Sequence, residues 1–175
     1  MESKVKLLGH PIHPMLIVFP LGLLATSLVF DIVYLITDNG TWSQVAFYDI
    51  AAGIVGGLLA AVFGLIDWLA IPDGTRAKRI GLQHMGSNVV VLALFGVAWL
   101  LRRDDPHDPG AFPIVLELAG GGLAAIGGWL GGELVERMGV AVDPGAHLDA
   151  PSSLSNRPAS EDHGAVTRES SRVGS

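Results

Sequence analysis

The sequence predicts an all-α protein: a four-helix transmembrane bundle followed by a disordered carboxy-terminal tail. Three observations carry this. Half of the 175 residues are apolar and only 16% are charged, where a soluble domain carries about 25% charge. The charges fall between four apolar blocks, each close to the roughly 20 residues that cross a hydrocarbon core of about 30 Å. From Pro144 onward, Ser, Pro, Gly, Arg and acidic residues replace the large apolar ones.

The first span covers about 15–37, and its only charge is Asp31. Pro14 suits a first-turn position, where a missing N–H costs nothing. Asp38-Asn39-Gly40 ends this span. The second covers about 46–71, is uncharged from Ile50 to Ile66, and stops at Pro72-Asp73-Gly74. The third, about 83–101, contains no Asp, Glu, Lys or Arg. An acidic, proline-rich loop through Asp104 and Gly110 leads to the fourth, about 112–136. Backbone groups in lipid must be paired within the segment, so each span is expected to be helical. Residues 1–143 form the membrane unit in this reading. Residues 144–175, with His147 and His163, form a tail too polar to fold alone.

Composition excludes several functions. There is no cysteine, hence no disulfide, thiolate nucleophile, cysteine-held iron–sulfur cluster or covalent c-type haem attachment. Net charge is −6 without a basic run, which argues against nucleic-acid binding. No phosphate loop or dinucleotide fingerprint is present. Gly120-Gly121-Gly122 follows no strand and precedes no lysine. Whether the chain is an enzyme stays open.

Lys4, Lys6, Arg76, Lys78, Arg79 and Arg137 fall on one side of a four-span layout, and only Arg102 and Arg103 on the other. The positive-inside rule then puts both termini in the cytoplasm of a multi-pass cell-membrane protein. The lysines before the first block resemble a signal peptide, but the apolar run is too long and lacks a small-residue cleavage site, so a retained helix is expected. Small residues stripe the second span (Gly53, Gly57, Ala60, Gly64) and the fourth (Gly120 to Gly132). Such stripes allow close helix approach. These two helices are expected to pack on each other, or on a neighbouring subunit in a homo-oligomer or with another membrane protein.

The candidate site lies at the cytoplasmic end. Helical rise brings His10 and His13, Asp67, His84 with Asn88, and Glu133 to one depth. His10 and His13 each precede proline, which favours an extended entry that folds the rings over the bundle mouth. Imidazole and carboxylate ligate transition metals, and paired imidazoles can hold a b-type haem. His10, His13, His84, Asp67 and Glu133 are the candidate metal ligands. His10, His13, His84 and Asn88 are the candidate haem-binding residues. The bland alternative has the histidines bonding backbone carbonyls at helix ends, Asp67 pairing with His84 or a nearby base, and Glu133 pairing with Arg137. A weaker outer set comprises Asp31, Asp49 and Glu117.

Several of these elements resemble a family of uncharacterised bacterial membrane proteins, domain of unknown function 2231. They are Gly9-His10-Pro11-Ile12-His13-Pro14, Asp31, Gly64-Leu65-Ile66-Asp67-Trp68, His84 with Asn88, and the closing run Gly131 to Val140. The likeness covers about residues 7–143. It implies a four-helix integral membrane protein and brings no established activity. Relatives resemble one another in a closing-segment His, where this chain has Met138. The functional expectation is a redox protein holding a metal or b-type haem. The alternatives are a structural or assembly subunit, or a proton-coupled transporter using Asp31 and Asp67.

Overall fold

The computed structural model describes residues 1–155 and 157–161. A two-residue hairpin opens the chain, β1 (Lys6–Leu7) against β2 (His10–Pro11), with Leu7 opposite His10. Leu8 and Gly9 both take positive φ, 51° and 83°, as a tight two-residue hairpin turn needs. Five helices follow: α1 (Ile12–Leu16), α2 (Val18–Thr37), α3 (Gly40–Ala70), α4 (Arg76–Arg102) and α5 (Ala111–Gly132). A π-helical turn, Glu133–Arg137, extends α5.

Prolines and caps place the ends. Pro14, Pro20 and Pro113 are each the third residue of a helix, where no intrahelical donor is lost. Pro20 cannot donate to Leu16, so α1 and α2 part at Ile17 while remaining nearly continuous. Asn39 Oδ1 accepts from Thr41 N at 3.1 Å, and Thr75 Oγ1 from Lys78 N at 3.1 Å. These caps start α3 and α4 several residues before their apolar blocks. The four spanning segments, Ile12–Thr37, Gly40–Ala70, Arg76–Arg102 and Ala111–Arg137, are long and apolar enough to cross a bilayer.

The helices form two tight antiparallel pairs, α2 with α3 and α4 with α5, and α3 and α4 join the pairs. Leu24, Ile50, Val91 and Phe95 make the shared core. Large apolar side chains such as Phe19, Ile36 and Trp129 are exposed, as a lipid-facing exterior requires.

The glycine stripes do not bring α3 and α5 together. These helices lie diagonally, and each stripe receives side chains from adjacent helices instead. Gly53 faces Leu24 and Gly57 faces Leu92, while Gly120 faces Phe95 and Gly121 faces Leu28. An up-and-down bundle with short loops makes sequential helices neighbours, so alternate helices cannot share a face.

Residues after Gly139 turn back across the hairpin. Pro151 is buried, and Ser153 Oγ lies 3.3 Å from His10 Nε2. Of the tail expected from Pro144 to Ser175, Asn156 and residues 162–175, including His163, lie outside the described residues.

Candidate functional site

Two polar sites occupy opposite ends of the bundle. At the end carrying the amino terminus, the rings of His13 and His84 lie 6.4 Å apart, centre to centre, and perpendicular. Both are half-buried. Each is held in the same way. His13 Nδ1 bonds the Ala60 carbonyl at 2.8 Å, and His84 Nδ1 bonds the Gly127 carbonyl at 2.8 Å. A carbonyl only accepts, so Nδ1 carries a proton in both rings, and in a neutral ring Nε2 is then the nitrogen with the lone pair. Each ring also presses on the glycine one turn further along. A Cβ at Gly64 would meet His13 Cε1 at 2.8 Å, and one at Gly131 would meet His84 Cε1 at 3.1 Å. Ala60 and Gly127 lie inside helices, so the histidines do not repair broken helix ends.

Asn88 Nδ2 donates to the His84 carbonyl at 2.9 Å. It lies 3.4 and 3.3 Å from the two ring nitrogens. A nitrogen equidistant from both lies on neither lone-pair axis, so the His84 lone pair is left largely uncommitted.

The other expected ligands are elsewhere. His13 is helical, so the pre-proline preference for extended backbone is overridden at the first turn of α1. His10, by contrast, sits in β2, exposed beside Ser153. Asp67 does not face the imidazoles. Its carboxylate accepts from Ser3 Oγ at 2.8 and 2.9 Å and from Lys4 N at 2.8 Å, pinning the amino-terminal segment to α3. Glu133 pairs with Arg76 at 2.7 Å rather than with Arg137, because the π-helical turn alters the usual four-residue alignment. Among the described residues, no three His, Asp or Glu side chains stand close enough to hold a metal ion. The five-residue ligand set is thus not assembled.

The opposite end holds a buried charge cluster to which each long helix contributes one residue. Arg102 (α4), Asp31 (α2), Glu117 (α5) and Ser43 (α3) are all buried, none more than 1% exposed. Arg102 Nη1 donates to Glu117 at 2.8 and 2.9 Å and to Asp31 Oδ2 at 3.0 Å. Its Nη2 donates to Asp31 Oδ1 and, at 3.1 Å, to Ser43 Oγ. Ser43 in turn donates to the Pro106 carbonyl at 2.7 Å. Arg102 is therefore not the loop charge its position suggested, and Asp49 lies half-buried on α3 outside the cluster. Eighteen residues of α4 separate His84 from Arg102, about 27 Å of rise. That is close to the thickness of a hydrocarbon core.

A sequence signal for this arrangement existed but is faint. His13 and His84 are 71 positions apart, as are Asp31 and Arg102, and Leu24 and Phe95. Their packing partners Gly53 and Gly120, Ala60 and Gly127, and Gly64 and Gly131 are each 67 apart. The second helix pair thus repeats the buried positions of the first, and the two sites join equivalent positions of the two halves.

Four long apolar helices around an apolar core with a polar site at each end, and lipid-type side chains outside, define a multi-pass integral membrane protein. The family model described as predicted membrane protein, DUF2231, matches residues 9–144. The chain belongs to that family. No curated protein and no solved structure matches it.

Proposed function

We propose that the protein is a membrane-embedded electron carrier in which His13 and His84 would hold a b-type haem. The observation that carries this reading is the doubly repeated imidazole geometry. Each ring has Nδ1 tied to a backbone carbonyl, which orients a ligating histidine and raises its basicity. The two ring centres lie 6.4 Å apart, near enough for both imidazoles to serve one bound group. The donor count favours haem over a bare ion. A bare zinc-like ion takes three or four protein ligands, whereas porphyrin brings nitrogens of its own and needs no more than two side chains from the protein. When bound, haem would supply one-electron transfer. This chain's residues hold the two rings 6.4 Å apart and perpendicular. The Ala60 and Gly127 carbonyls fix the orientation of the two rings. The basic residues Lys4, Lys6, Arg76, Lys78, Arg79 and Arg137 at this end support a cytoplasmic placement of both termini.

The test is an absorbance spectrum and iron analysis of the protein purified in detergent after expression with haem supplied. A Soret band with stoichiometric iron is expected. It should vanish in His13→Ala and in His84→Ala and persist in His10→Ala. A colourless, iron-free wild-type protein would overturn the reading. So would a band that survives both helix substitutions.

A further inference from the structure

We propose that Asp31 and Glu117 together hold one exchangeable proton, making the Arg102 cluster a proton-binding centre at the end of the bundle opposite the histidines. The argument is a charge count in a closed space. Two carboxyl groups and one guanidinium are fully buried, at a depth where an unbalanced charge is costly. Both acids share Arg102 Nη1, which reaches Asp31 Oδ2 at 3.0 Å and Glu117 Oε1 at 2.8 Å, so the two carboxyl groups meet on one guanidinium nitrogen. Two ionised carboxylates so placed repel, and a single guanidinium neutralises only one. One proton shared by the two acids balances the cluster.

Among the described residues, no other charged group faces the pair to do this. α2 contributes Asp31 itself, and Tyr34 one turn on donates to Asp108 at 2.9 Å. α3 contributes the neutral Ser43, with Asp49 outside the cluster. Arg103, next to Arg102, is exposed and turns to Asp104. Arg102 Nε is buried without an acceptor among the described residues. That N–H is a place where a water can join the cluster and carry the proton in or out. The Ser43–Pro106 hydrogen bond connects the cluster to the 103–110 loop and hence to the membrane surface. The proposal stands independently of the haem reading, since it involves neither histidine.

Infrared difference spectroscopy on the purified protein at neutral pH tests it. The wild type should show a carboxylic-acid C=O stretch that shifts in heavy water. Asp31→Asn and Glu117→Gln should each abolish the band, because either change leaves one carboxylate balanced by Arg102. Asp49→Asn should leave it unchanged. Absence of the band in the wild type would overturn the proposal, whatever the variants do. A band that survives both cluster substitutions, or is lost in Asp49→Asn, would also overturn it.

Discussion

Replacing Arg102 by Met is the sharpest probe of how the bundle is held. Methionine approximates the length of the arginine stem but removes every hydrogen bond that the guanidinium makes in the cluster. Three hydrogen bonds from Nη1 and two from Nη2 disappear, and Asp31 and Glu117 remain buried without a cation. Breaking a buried pair by removing one partner costs about 3–5 kcal/mol, a large share of a typical total stability of about 5–15 kcal/mol. Because the four residues come from four helices, the loss should appear in one cooperative transition rather than as local fraying. Denaturant unfolding in detergent, followed by helical circular dichroism, measures it. Arg102→Lys should fall between, since lysine restores the charge but not the planar fork that serves two acids. Arg79→Met, on the exposed face of α4, should change stability by less than about 0.5 kcal/mol. A loss below about 1 kcal/mol for Arg102→Met would refute the view that this cluster locks the helices together.

Two further outcomes test the other end. Gly64→Ala should destabilise by about 1–3 kcal/mol through overpacking, since its new Cβ meets the His13 ring at 2.8 Å, and Gly131→Ala should cost less at 3.1 Å. Equal effects measured by thermal unfolding would count against the ring positions described above. Asp67→Asn should weaken the hydrogen bonds to Ser3 and Lys4 by about 1–3 kcal/mol. Hydrogen exchange should then rise across residues 1–7 while the helices stay protected, and unchanged exchange there would contradict the pinning role.

Much of the candidate chemistry was legible as residue types and almost none of it as partnerships. His13, His84 and Asn88 were readable because imidazoles and amides beside apolar blocks stand out. The grouping of His10, Asp67 and Glu133 with them rested on depth alone. Depth follows from counting residues along a helix, but each of these side chains turned to a nearer partner: Ser153, Ser3 with Lys4, and Arg76. Arg102 was misjudged for a related reason. A charge at the last position of an apolar run looks like a loop residue, and only the carboxylates of α2 and α5 draw it inward.

The amino-acid order by itself determined the number of spanning helices, their ends and their lipid-facing character. Those properties depend on local hydropathy, proline positions and capping side chains, all of which act within a few residues. The tertiary structure alone decided how each helix is rotated about its axis and which helices are neighbours. It therefore decided that α3 and α5 lie diagonally, that two imidazoles rather than three come together, and that one arginine is shared by two acids. Rotation and adjacency are set by the packing of whole surfaces against one another, and no short stretch of chain contains that information.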